Sequence, residues 1–455
     1  MKNELFEQPI PKLVVKKILQ MSLGILAIQM FALVDTWFIA FLGTEPLAAV
    51  SFTFPVVFTV SSLSIGLAIG VGASVGRLLG QGEILKAQRF TTDSLILATF
   101  LVAVLSAFGI LFMNPLFTAM GSGPEMLVLI REYMLVWFIG IPFLVLPMQG
   151  NAAIRASGDI KTPSKVMFLA GLLNAGLDPI FIFWLDMGIR GAAIATLVAW
   201  MISFCVAFYM LRYRLKLITF EQFNFETLLK NWQQLMKIGL PAALTQMLSP
   251  ITAGIIISML SAYGVASVAA FGVGVRIEAI LLIFVMATGG ILPTILGQNY
   301  GAKNYQRSAE AIRFILTRVT LLYLLLYFVV FIFARPISRI FTSDPDVIEL
   351  AVLYLRIIPL SYCGMAATMI LAQIYNTLHR SMTSLVITLL RISVFVIPMT
   401  WFGARVAQTL GVYVGLASAQ LISGVIFFVV TLRLANKISQ QTVSPLEQQA
   451  METAK

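Results

Sequence analysis

Twelve apolar runs, each long enough to cross a bilayer as a helix, constrain this chain more than any other feature. Cutting at glycine, proline and charge clusters places them near 13–42, 47–76, 91–113, 126–150, 164–185, 190–211, 235–261, 267–296, 310–334, 347–371, 382–402 and 411–434. About 20 apolar residues suffice to span the hydrocarbon core, and a helix satisfies its own backbone hydrogen bonds there. The runs are continuous, rich in Leu, Ile, Val, Phe and Ala, and lack the short alternating pattern of a membrane β-barrel. The prediction is an all-α integral membrane protein with twelve transmembrane helices. A mean hydropathy of +0.93 and a charged fraction of 11% exclude a soluble enzyme domain.

The formal charge of +11 does not imply a nucleic-acid partner, because the basic residues gather in alternate loops. With both termini cytoplasmic, the inner side receives Lys2, Lys12, Lys16, Lys17, Arg77, Lys86, Arg89, Arg155, Lys161 and Lys165, and the 212–237 stretch adds more. The segments Thr44–Pro46 and Asn114–Glu125 carry no Lys or Arg. Arg335, Arg339 and Arg405 fall outside and weaken the pattern in the second half. The reading is a multi-pass protein of the inner (plasma) membrane and a monomer, its amino terminus an uncleaved first span. Cys205 and Cys363 lie in separate apolar runs with no second ligand nearby, as core thiols do.

Fixed-offset repeats set the architecture. Gly43-Thr-Glu-Pro-Leu-Ala-Ala matches Gly264-Val-Ala-Ser-Val-Ala-Ala, Leu79-Gly-Gln matches Leu296-Gly-Gln, and Gly191-Ala-Ala-Ile-Ala-Thr matches Gly415-Leu-Ala-Ser-Ala-Gln. The period covers six spans, an even number, so both copies enter from the same side. The repeat is therefore parallel, about an axis along the membrane normal. The expected division is a first lobe over 1–211, a cytoplasmic connector over 212–234, a second lobe over 235–436 and a polar tail over 437–455. The connector, RYRLKLITFEQFNFETLLKNWQQ, has aromatic spacing compatible with an amphipathic surface helix or with a loop carrying buried aromatics.

Function is sought in the rare polar groups at depth, which are expensive in a membrane and tend to face a bundle interior or water. Asp35 lies eight residues before Gly43, roughly 12 Å inside the apolar boundary. Asp178 lies eight residues before Asp186 at the same outer side, so the two acids share a level. Asn174 stacks on the Asp178 face four residues earlier, and Thr196 reaches a similar depth on the sixth span. Pro179 removes a backbone donor and frees the Ala175 carbonyl. In the second copy Asp35 becomes Thr252, and the fifth-span counterpart carries Arg391 and no acid. Met30 and Phe31 near Asp35 are candidates to line an apolar pocket. Arg276 and Glu278, two residues apart on the eighth span, and Arg391 are weaker candidates. His379, the single histidine, falls in a loop. No phosphate-binding loop, metal spacing or nucleophile relay is present, which disfavours ATP hydrolysis and catalysis. Transport would then draw on an ion gradient, with no cofactor.

Val34-Asp35-Thr36 with Gly43 and Leu47-Ala-Ala, Gly80-Gln81 with Gly297-Gln298, and Asn174-x-x-x-Asp178-Pro179 together resemble the multidrug and toxic compound extrusion (MATE) family, DinF-like branch. The resemblance implies a V-shaped pair of lobes around a central cavity and an antiporter expelling lipophilic, often cationic drugs. It maps coupling positions onto Asp35, Asn174, Asp178 and Thr196, and a cavity tyrosine onto Tyr133. The coupling ion is expected to be H⁺, with Na⁺ at the same four residues as the alternative. A flippase for lipid-linked substrates is a rival within the superfamily. The chain departs from the pattern at Gln20, where relatives often have proline, and at Thr252, where the sodium-coupled branch has acids.

Overall fold

The computed structural model describes residues 2–221 and 223–441, so most of the polar tail lies outside the described residues, as do the side chains of Lys2, Thr44 and Leu47. Every regular element among them is helical. After a short helix, Lys2–Glu7, the first lobe comprises α1 (Ile10–Ala40), α2 (Thr44–Gly80), α3 (Ile84–Leu111), α4 (Pro124–Ala156), α5 (Lys161–Trp184) and α6 (Gly188–Arg214). The second comprises α7 (Phe225–Ser261), α8 (Val265–Leu281 and Ile283–Gly301, bent by 42°), α9 (Tyr305–Phe341) and α10 (Pro345–Thr377). The final stretch, Ser381–Ser439, would be about 90 Å long as one helix, far more than a bilayer needs. It folds back on itself instead. Ala407 and Gln408 leave helical geometry, and Gly403 meets Gly411 so closely that a Cβ on either would collide with the other's carbonyl. This hairpin separates α11 (381–406) from α12 (409–439) and completes twelve spans.

The packing repeats as the sequence does. In the first lobe α1 packs on α5, α2 on α4, α3 on α4, and α4 on α6. In the second α7 packs on α11, α8 on α10, α9 on α10, and α10 on α12. The contacts between lobes, α1 with α8 and α2 with α7, exchange under the same operation. The connector forms no helix of its own. Its first residues complete α6, Leu217 and Ile218 are buried against the first lobe, and the part from Phe225 onward is the start of α7, capped by the Asn224 side chain. Phe220, Phe223 and Phe225 are left exposed at that end, where aromatic rings suit a membrane interface.

The lobes touch in the half that carries the chain termini. There Gly66 of α2 lies against Gly239 and Ala243 of α7, and Gly76 and Gly80 lie against Pro293 and Gln298 of α8. Thr294 Oγ1 donates to the Arg155 carbonyl at 2.6 Å, and Gln298 Nε2 to the Ala156 carbonyl. Arg307 of α9 donates to the carbonyls of Leu5 and Gln8. Asp93 of α3, wholly buried, pairs with Arg89 at 2.7 Å and accepts from Asn231 of α7 at 2.7 Å, while Trp232 donates to its carbonyl. In the opposite half, the first lobe's core around Ile39, Phe117, Tyr133 and Trp137 draws only on its own spans. The lobes therefore part away from the termini, leaving a cleft between α1, α2, α7 and α8.

Candidate functional site

Close approach of α1 and α5 creates the site. The helices run parallel and interlock at Gly24 against Ser164 and at Phe31 against Gly171, whose missing side chain accommodates the Phe31 ring. Phe31 also meets Phe168 edge-on, with ring centroids 6.1 Å apart. Above that contact, Asp35 lies about 6 Å further along α1, and Asn174 and Asp178 lie about 4.5 and 10.5 Å further along α5. Asp35 thus stands level with the interval between Asn174 and Asp178.

Asn174 organises the polar groups. Its Nδ2 donates to Asp178 Oδ1 at 3.3 Å and to Thr196 Oγ1 of α6 at 3.2 Å. Asp178 is fully buried, and its Oδ2 has no hydrogen-bond partner. Asp35 is partly exposed, and its buried Oδ1 is likewise unpartnered. The carboxylates and the buried Tyr133 of α4 lie close enough to feel one another's charge. A buried acceptor without a donor costs about 1–3 kcal/mol, so two such oxygens on packed helices at one level form a place where a proton or cation is favoured. The Asn174 amide nitrogen points at Asp178 and Thr196, which leaves the carboxylate oxygens as the available acceptors. Beyond Pro179, α5 widens into a π-helical turn over Ile180–Trp184, relaxing the ladder where proline cannot donate.

Asp35, Asn174, Asp178, Thr196 and Tyr133 are thus brought together, three of them in one hydrogen-bonded chain. Phe31 forms the floor beneath them. Met30 lies elsewhere: it is nine residues, two and a half turns, from Met21, which touches Gly290 of the other lobe. It is half exposed on the side of α1 that faces away from the cleft. Asp35 is fourteen residues from Met21, about 40° short of four full turns. It therefore sits at the border between the α5-packed face and the cleft.

The second lobe holds a different cluster. Glu278 Oε2 accepts from Tyr354 at 3.1 Å and Tyr362 at 3.0 Å, and Arg391 lies within its electrostatic reach. These groups turn into that lobe's core, where Tyr354 and Tyr362 are buried.

The MatE family profile matches residues 21–180 and 241–402. A protein of Shewanella oneidensis named "FAD transporter" is 37% identical over 453 residues, covering 98% of this chain and 99% of its own. A "Probable multidrug resistance protein", YpnP of Bacillus subtilis, is 28% identical over 86% of this chain and 90% of its own. The crystal structure of a mutant of the Vibrio cholerae MATE transporter VcmN superposes with a TM-score of 0.90 at 28% identity, covering 95% of this chain and 99% of that one. With its twelve spans, its two exchanged lobes and a family match over both of them, the chain belongs to the MATE family of membrane transporters and is not an enzyme.

Proposed function

We propose that the chain is a cation-coupled exporter of the inner membrane, acting as a monomer with both termini cytoplasmic, so that the cleft opens outward. The observation that carries this reading is that Asp35 and Asp178, at matched levels of packed helices in one lobe, each keep a buried carboxylate oxygen without a partner. An inward-moving cation neutralises that pair and an outward-moving cargo leaves the cleft. The direction of the Asn174 amide favours H⁺ over Na⁺, because its nitrogen and not its oxygen is turned to Asp178. Asp35 is the main coupling carboxylate, and its neutralisation repacks the outer part of α1, which is one unbroken helix here. Transport of a dye in vesicles under pH and sodium gradients imposed separately tests the reading. A pH gradient should drive it in the parent and not in Asp35→Asn, and a response to sodium alone would assign Na⁺ instead.

The cargo has two readings. Lipophilic and cationic drugs follow from the multidrug relatives and from the acids at the cleft. An organic anion of the flavin dinucleotide type is favoured by the higher identity, over nearly the full length, to the Shewanella protein named for FAD. Competition between FAD and ethidium for efflux separates the two.

A further inference from the structure

Arg276 and Glu278 are two residues apart and point in nearly opposite directions. Glu278 enters the core of the second lobe through Tyr354 and Tyr362, and Gly274 packs on Tyr354 beside it. Arg276 is exposed, and its neighbour one turn earlier, Gly272, has open space where a side chain would be. Twelve residues separate Arg276 from Gly264 at the outer start of α8, which is about 18 Å of helix. At such depth an exposed guanidinium is tolerated only where it faces protein or a water-filled cavity.

The inner segment of α8 is turned to the first lobe, where Gly290 touches Met21 of α1 and Thr294 donates to the Arg155 carbonyl. The outer segment lies beyond the 42° bend at Leu282, and its own contacts set its orientation. Gly274 packs on Tyr354 of the second lobe, and Arg276, two residues on, points about 160° away from it. Arg276 is therefore turned out of its own lobe, in the half where the lobes have parted. Its level follows from the boundary glycines that the repeat pairs. Asp35 is eight residues inside Gly43 and Arg276 twelve residues inside Gly264, about 12 and 18 Å, so the arginine stands about 6 Å deeper in the cleft than the acid. No carboxylate among the described residues forms an ion pair with Arg276.

We propose that Arg276 is the anion-binding residue of the central cleft, so that the cleft takes an amphipathic cargo carrying a phosphate or similar anionic group. A planar guanidinium with its fork of donors suits phosphate, and exposed apolar side chains on the cleft-forming spans, Phe54 and Phe58 of α2 and Ile280 one turn from Arg276, suit an aromatic body. The assignment rests on the transporter reading above and selects the organic anion over the purely cationic drug.

The test is equilibrium binding to the purified full-length protein of FAD and riboflavin, which share a ring system and differ in the phosphates, together with ethidium. The parent should bind FAD at least tenfold more tightly than riboflavin. Arg276→Gln should reduce that ratio to below threefold while holding ethidium at least as well, and Arg276→Lys should keep most of it. An unchanged ratio in Arg276→Gln, or a parent without preference for the phosphate-bearing ligand, overturns the assignment. Gradient-driven ethidium transport by the parent is scored separately. An Arg276-dependent ratio in a protein that no gradient drives upholds the anion site and removes the antiport reading, whereas transport with an unchanged ratio does the reverse.

Discussion

Adding one methyl group at Gly66 should open the closed end of the transporter. A Cβ there would stand 2.4 Å from the Gly239 carbonyl, 2.5 Å from the Ala243 nitrogen and 2.6 Å from the Ala243 Cβ. Two of these are backbone atoms of α7, so no rotamer change relieves the collision, and α2 and α7 must separate by about 1 Å to regain ordinary carbon contact distances. Overpacking of this kind costs about 1–3 kcal/mol. The α2–α7 seam is an interface between lobes, so the strain is relieved by parting them. At 1.4 kcal/mol per tenfold, the ratio of closed to open at this end should fall roughly 5- to 140-fold. Spin labels at the exposed positions Lys86 and Lys437, with Cys205 and Cys363 replaced, would read the change as a population at longer distance. Gly109→Ala is the control, since its Cβ would meet the Phe138 ring at 2.2 Å within one lobe. That variant should lose stability without lengthening the distance. A folded Gly66→Ala protein with the parent's distance distribution, or an equal lengthening in Gly109→Ala, would refute the assignment of this seam as the gate.

Other consequences are open to measurement. Asp35→Asn and Asp178→Asn should abolish gradient-driven efflux at normal expression, and Asn174→Ala should reduce it; parent-like rates in Asp35→Asn would remove that residue from coupling. Asp93→Ala leaves Arg89 buried without its partner and should cost about 3–5 kcal/mol, read as a lowered thermal midpoint in detergent, whereas a midpoint unchanged from the parent would mean that water replaces the carboxylate. His379, in the turn between α10 and α11, is held down to about 4 by burial and by the neighbouring Arg77 of α2. Because the fold disfavours its proton, stability at the closed end should be level above about 6.5 and fall as pH drops from there towards 4; His379→Gln should flatten that slope in the same label distances.

The polar site was legible in the sequence because membranes make depth countable. Asp35 and Asp178 each stand eight residues from an outer boundary, and Asn174 and Thr196 follow from helical stacking and matched depth. Those four residues were thereby selected without any structure. Residues whose meaning depends on rotation between helices were not legible. Met30 is adjacent to Phe31 in sequence, yet one faces away from the cleft and the other fills the space beside Gly171. Arg276 and Glu278 are two residues apart in sequence, and only the packing of Gly274 and Glu278 on Tyr354 shows that they serve different environments. Asp93 is a carboxylate set inside the third apolar run, a signal the sequence does carry, but its partners, Asn231 and Trp232, come from the other lobe and are not legible from it.

Near-symmetry of the lobes bears on why the proposed cation-binding groups occupy one of them. The repeat supplies two equivalent scaffolds, α1 on α5 and α7 on α11, and either offers a crevice at the right depth. What differs is whether a polar group there satisfies itself. Thr252, the counterpart of Asp35, donates its hydroxyl to the Leu248 carbonyl one turn earlier at 2.7 Å. A threonine can settle this way within its own helix, whereas an aspartate has no proton to donate once ionised. Asp35 must find a donor, a proton or a cation from outside its helix, and the same holds for Asp178 beyond its bond from Asn174. The second lobe's deep acid, Glu278, already has two tyrosine donors. An incoming cation would there compete with hydrogen bonds already made, whereas in the first lobe it meets oxygens that lack them. On the proposed coupling, the unequal satisfaction of acceptors on an otherwise repeated frame is the reason for the cation to enter the first lobe. The second lobe then keeps Arg276 for the proposed anionic cargo.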